Sequence, residues 1–100
     1  MTGPVTLINV FTVQPERQDQ LLDLLRSMTD EVTRGLPGFI SAAFHKSLDG
    51  RHVANVALWE SQDAWRAMVR DPRVQARMEP ILKIATFEPR LYTEVSRHGA

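Results

Sequence analysis

Residues 39–59 run FISAAFHKSLDGRHVANVALW, and this stretch decides the fold. Phe39 to Lys46 is rich in aromatic and small apolar residues and reads as a strand. Asp49-Gly50 is a strong hairpin signal, because glycine supplies the positive φ that a tight turn needs. His52 to Trp59 is then a second strand, antiparallel to the first.

Working outward, Pro37-Gly38 makes a turn before the hairpin, and Gly35 is placed to end a helix. That helix spans Glu16 to Arg34, with Leu21, Leu22, Leu24, Leu25, Met28 and Val32 forming one apolar stripe. Arg17, Asp19, Asp23, Arg26 and Asp30 occupy the remaining positions, as a solvated face should. Before it, Val5 to Val13 is rich in Val, Ile, Phe and Thr and reads as a strand, with Pro15 suited to the first helical turn. After the hairpin, Ser61 is placed as the N-cap of a helix over Gln62–Arg70. Asp71-Pro72 restarts a helix to about Ile81, which Pro80 bends or ends. Pro89 precedes a last strand over Leu91–Val95, and Ser96–Ala100 forms a frayed tail.

The order is β-α-β-β-α-β with the second helix broken in two. This is the ferredoxin-like split βαβ arrangement, an α+β fold in which helices cover one face of a four-stranded antiparallel sheet. All 100 residues fit one domain, with no repeat, low-complexity segment or linker.

Lys plus Arg number 12 and Asp plus Glu number 12, so the net charge is zero. That balance argues against nucleic acid as a partner, since phosphate binding needs excess basic charge. It also gives no electrostatic attraction to an anionic membrane. There is no cysteine, which excludes disulfides, thiolate metal sites and a cysteine nucleophile. The apolar runs fall far short of a membrane span. Met1–Pro4 lacks the basic and apolar regions of a leader. A cytoplasmic protein is the expectation.

Strand alternation places Leu7, Asn9 and Phe11 on one face and Ile8 and Val10 on the other. Likewise Val53, Asn55, Ala57 and Trp59 share a face, and Ala54, Val56 and Leu58 the opposite one. Both faces are therefore apolar, while the helices cover only one. The uncovered face predicts a homodimer; loops or the C-terminal tail are the alternative cover.

Asn9 and Asn55 interrupt the odd-numbered face. A buried amide without partners costs ~1–3 kcal/mol. Either the amides bond to backbone or to each other, or they face a polar ligand in a pocket walled by Trp59. Met68 and Met78 lie on the helices expected to cover that face and read as lining. His45 shares the parity of Ser41 and Ala43, and could edge the pocket as a base; a surface histidine is the alternative. His52 beside the turn and His98 in the tail read as solvated, and no histidine pair has zinc-site spacing. No glycine-rich phosphate loop occurs.

The strand Ile8–Val13, the turn Leu36-Pro37-Gly38-Phe39, Asp49-Gly50, and above all Asn55-Val56-Ala57-Leu58-Trp59-Glu60-Ser61 followed by Ala64-Trp65 resemble the antibiotic biosynthesis monooxygenase family. The resemblance covers about Leu7 to Val95. Within the family it is greatest to the cofactor-free anthrone and naphthacenone monooxygenases of aromatic polyketide pathways. It implies a dimeric α+β barrel that takes a small aromatic substrate and dioxygen, oxidising a phenolic anthrone to a quinone without flavin, haem or metal. It also implies that Asn9, Asn55 and Trp59 are catalytic. Trp65 stands where an anthrone-type member has a tyrosine. Met78 stands near where it has an arginine, with Arg77 adjacent, so Trp65, Met68, Arg77, Met78 and His45 are the candidate substrate-binding residues. Haem-degrading members need a histidine where Met78 falls. Two other readings stay open: an isomerase or cyclase of small ring compounds on the same fold, and a non-catalytic ligand-binding dimer.

Overall fold

In the first strand, β1 (Val5–Val13), the odd-numbered residues Leu7, Asn9, Phe11 and Val13 are buried while Val10 and Thr12 are exposed. That period of two is the alternation expected of a strand with one covered face. The computed structural model describes residues 3–99. Met1 and Thr2, which begin the segment read as lacking a leader, and Ala100, the end of the tail, lie outside the described residues. Among the described residues, no helix is long and apolar enough to cross a membrane.

β1 is followed by α1 (Gln18–Glu31), β2 (Phe39–Lys46), β3 (His52–Trp59), α2 (Gln62–Arg70), α3 (Pro72–Leu82) and β4 (Ala85–Tyr92). The strands form one antiparallel sheet in the order β2-β3-β1-β4. This is the predicted ferredoxin-like α+β fold. The long periodic stretch from Glu16 to Arg34 is α1 flanked by single 3-10 turns at Pro15–Arg17 and Thr33–Gly35. Leu21, Leu22, Leu25 and Met28 of α1 pack with Phe11, Val13 and Val53 of the sheet and with Val74 and Ile81 of α3.

Local capping fixes the helix boundaries. Ser61 accepts a hydrogen bond from the Ala64 backbone N–H at 3.1 Å, starting α2. Asp71 ends α2 and accepts from the Arg73 N–H at 2.8 Å, starting α3 with Pro72 in its first turn. The Arg73 side chain and N–H together hold the Asp71 carboxyl below the usual carboxylate range. α3 continues through Pro80 to Leu82. In the hairpin loop Gly50 has a φ of +80°, and Asp49 Oδ1 accepts from the Ser47 hydroxyl and the Arg51 N–H. Buried Gln18 donates to the Ser47 and His52 carbonyls at 3.2 and 3.0 Å, tying the start of α1 to that loop.

Two expectations are corrected. The last strand is Ala85–Tyr92, not Leu91–Val95, and Pro89 sits inside it, opposite Asn9 of β1. β4 is an edge strand, where a residue without an N–H is tolerated. The second correction lies in β2. Phe39 pairs with Trp59, but Ser41 pairs with Leu58, so Ile40 is an extra residue in a bulge. A one-residue slip reverses every following side chain. Ala42 and Phe44 therefore join Ala57 and Asn55 on the helix-covered face. Ser41, Ala43 and His45 turn to the open face.

Candidate active site

Between the covered face of the sheet and the three helices lies a cavity of about 310 Å³. That is at the lower end of the ~300–1,000 Å³ typical of small-molecule sites. The sheet supplies Leu7, Asn9 and Phe11 from β1, Phe44 from β2, Asn55, Ala57 and Trp59 from β3, and Phe87 and Pro89 from β4. The helices supply Leu25, Met28 and Thr29 from α1, Trp65 and Met68 from α2, and Gln75, Met78 and Leu82 from α3.

Register brings the two asparagines together, since Asn9 and Asn55 are direct cross-strand partners on adjacent central strands. Trp59 lies four residues after Asn55 and so on the same face. Its indole is 1 % exposed and meets the Phe39 ring edge-on, with centroids 5.4 Å apart and planes at 83°. Burial and this T-shaped contact fix the orientation of the ring.

Asn9 Oδ1, Asn55 Oδ1 and Trp59 Nε1 are all buried without a hydrogen-bond partner. The Thr33 hydroxyl, also on the cavity wall, shares that state. Folded proteins rarely leave buried polar atoms unpaired, and each costs roughly 1–3 kcal/mol. The two asparagine side-chain oxygens thus bond neither to backbone nor to each other. Turning an amide about its Cβ–Cγ bond exchanges Oδ1 for Nδ2, so each asparagine can present an acceptor or a donor. Among the described residues, no group of three His, Cys, Asp or Glu is placed to hold a metal ion.

Six of the eight residues singled out from the sequence meet here: Asn9, Asn55, Trp59, Trp65, Met68 and Met78. The other two do not. His45 is exposed on the far side of the sheet because of the β2 bulge. Arg77 reaches over the helix layer to α1, donating to Glu31 Oε1 at 2.6 Å and to the Ser27 hydroxyl at 3.3 Å. The Arg77 guanidinium and the Ser27 hydroxyl hold the Glu31 carboxyl below its usual range. Several wall residues escaped the sequence reading. Phe44 was hidden by the bulge, and Phe87 and Pro89 by the misplaced strand. Thr29 and Thr33 continue the helical spacing of Leu25, and Gln75 precedes Met78 by three, so those signals were present in the periodicity.

The chain is 43 % identical over 91 residues to tetracenomycin-F1 monooxygenase of Streptomyces glaucescens, covering 91 % of this chain and 80 % of that protein. Its fold matches the Streptomyces coelicolor monooxygenase encoded by ActVA-Orf6, solved with nanaomycin D. There the TM-score is 0.85 at 30 % identity, covering 99 % of this chain and 93 % of that one. It also matches the fold of SnoaB, a cofactor-independent oxygenase of Streptomyces nogalater, with a TM-score of 0.78 at 22 % identity over 95 % and 96 % of the two chains. Residues 4–80, which carry β1 through most of α3 and with them both asparagines and both tryptophans, match the antibiotic biosynthesis monooxygenase family, and the chain belongs to it.

Proposed function

We propose that this protein is a cofactor-independent monooxygenase that oxidises an anthrone-type aromatic polyketide to a quinone with dioxygen. The observation that carries the reading is the set of unpaired polar atoms on Asn9, Asn55 and Trp59 in the wall of an otherwise apolar cavity. Two relatives at 30 % identity or more are named as monooxygenases, which supports an oxygenase reading.

In this reading the substrate anion lies flat between Phe44, Trp65, Met68 and Met78. Asn9 and Asn55 turn their amide N–H groups, and Trp59 its indole N–H, towards the oxygen that bears the developing charge. Neutral donors fixed in a dry site stabilise such an anion more than water does, because they need no reorganisation when charge moves. Dioxygen enters the same apolar space, and the electron-rich anion supplies the electrons that reduce it. The net change is a methylene and dioxygen going to a carbonyl and water. His45 and Arg77 have no part in it.

Oxygen consumption on adding a dihydroxyanthrone to chelator-treated protein tests the proposal. Uptake with quinone formation, by a purified protein that shows no flavin or haem absorbance, is the expected result. Rearrangement of the ring without uptake would identify an isomerase or cyclase instead. Binding with neither would leave a ligand-binding protein.

A further inference from the structure

Asn9, Asn55 and Trp59 rise into the cavity from the central strands β1 and β3. Thr33 meets the same cavity from another side, on the turn Thr33–Gly35 that leads from α1 to β2 and packs against β2 at the sheet edge. It is 8 % exposed, and its Oγ1 has no hydrogen-bond partner. The other polar side chains that the helices bring to the wall are engaged. Thr29, one helical turn earlier, donates to the Leu25 carbonyl at 2.9 Å, the bond that a threonine within a helix ordinarily makes. Thr33 lies past the end of α1, where Val32 leaves helical geometry at φ −128° and ψ −64°, and makes no such bond. Gln75 is exposed and donates to the Val69 carbonyl at 3.4 Å. Val69 and Leu82 are exposed wall residues too, so these three form the rim of the cavity, whereas Thr33 belongs to its buried part.

Resting on the monooxygenase reading, we infer that Thr33 is a specificity-determining residue whose hydroxyl takes a second, uncharged oxygen of the aromatic substrate. That oxygen is a ring hydroxyl or carbonyl other than the one held by Asn9, Asn55 and Trp59. Three donors already fill the acceptor capacity of one oxygen, so Thr33 needs another. A hydroxyl carries one donor and two acceptor sites, which suits a hydroxyl or a carbonyl alike. A single neutral hydroxyl does not offset the burial of a second charge, which excludes a carboxylate at that position.

The surrounding wall turns this contact into discrimination. The side chains that β2 contributes to the cavity, Phe39, Ala42 and Phe44, are all apolar. A substrate oxygen turned towards the β2 edge is therefore met by Thr33. A ring system with only hydrogen at that position leaves the Thr33 hydroxyl unpaired in the complex, and a site built to bond an oxygen rejects the analogue that lacks it.

The test is binding of anthraquinones, read from quenching of Trp59 and Trp65, the two tryptophans of the chain, both in the cavity wall. A dihydroxyanthraquinone is compared with congeners that carry one further hydroxyl at each free ring position in turn. In the parent protein one position should raise affinity by roughly three- to tenfold, the equivalent of one net hydrogen bond. Thr33→Val keeps the side-chain shape and should abolish that gain, and Thr33→Ser should retain it. Without ligand, Thr33→Val should be at least as stable in urea as the parent, because it removes a buried hydroxyl that lacks a partner. A gain that survives in Thr33→Val, or the absence of any such position, would overturn the inference. So would a Thr33→Val protein clearly less stable than the parent, since the hydroxyl would then be bonded within the fold. Oxygen uptake with a dihydroxyanthrone, measured on the same parent preparation, reports separately on the monooxygenase reading. A parent protein that binds none of the anthraquinones and takes up no oxygen would overturn both.

Discussion

Asn9 and Asn55 are expensive residues to keep. Opposite each other on the two central strands, they leave two acceptors unpaired where leucines would pack without penalty. Their presence was legible in the sequence, because parity along β1 and β3 places them on the covered face and no local turn explains them. The fate of His45 was not. Its parity depends on the bulge at Ile40, and nothing in the run Phe39–Lys46 distinguishes a regular strand from one with an inserted residue. Arg77 was misread for a related reason. It adjoins Met78 in sequence, but the next helical position is turned about 100° away and finds Glu31. If the three buried groups serve the substrate anion, Asn55→Ala and Trp59→Phe should each lower kcat by roughly tenfold or more, towards the ~10²–10³ lost with one donor to a fully developed oxyanion. Trp59→Phe keeps the aromatic bulk that packs on Phe39, so its circular dichroism and thermal unfolding should stay close to the parent's. Wild-type turnover by both variants, with substrate binding intact, would assign these residues to structure alone.

The elements most legible in the sequence are those with local causes. Ser61, Asp71-Pro72 and Asp49-Gly50 each fix a boundary through a cap or a turn within four residues, and each boundary stands where the sequence puts it. β4 has no such signal. Its pairing to β1 is long-range, and a proline in its middle imitates a strand boundary until the strand is known to lie at an edge. The turn before β2 shows how a local element reaches the site. Gly38 has a φ of +85°, its carbonyl accepts from the Glu60 N–H at 2.8 Å, and a Cβ there would strike the side chain of Ala64. Ala64 precedes Trp65, so the close approach of turn and helix sets where Trp65 meets the cavity. Gly38→Ala should destabilise the fold by roughly 1–3 kcal/mol from backbone strain alone, read as a lower midpoint in urea. Gly35→Ala, where an added Cβ meets nothing within 4 Å, is the matched control and should move the midpoint far less. Equal shifts for the two would show that the contact with Ala64 carries no weight.

At the scale of the whole molecule the sheet is covered on one side only. Val10, Val56 and Tyr92 are 38 %, 36 % and 44 % exposed on the open face, with Ile8 and Leu58 half-buried between them. The register aligns Ile8 with Val56 and Val10 with Ala54, making these residues one continuous apolar surface across β1 and β3. The tail alternative raised by the sequence does not supply a cover, because residues 93–99 are all exposed and Val10 and Val56 stay exposed. A second copy of the chain is the occupant we propose, since a symmetric pair lets the same patch cover itself, with Arg90 and Glu88 flanking Ile8 and Val10 on the β4 side. Light scattering at micromolar concentration should then give twice the chain's 11.4 kDa. Val56→Asp places a carboxylate in the middle of the patch, where burial without a partner is costly, and should shift the mass towards that of the monomer. Leu48→Asp, at the fully exposed tip of the hairpin, should leave the mass unchanged. The helix-side cavity contains no residue of this face, so the Val56→Asp monomer can still be assayed for oxygen uptake. A Val56→Asp protein that remains a dimer would mean that the two copies meet elsewhere and that this sheet face is closed in some other way.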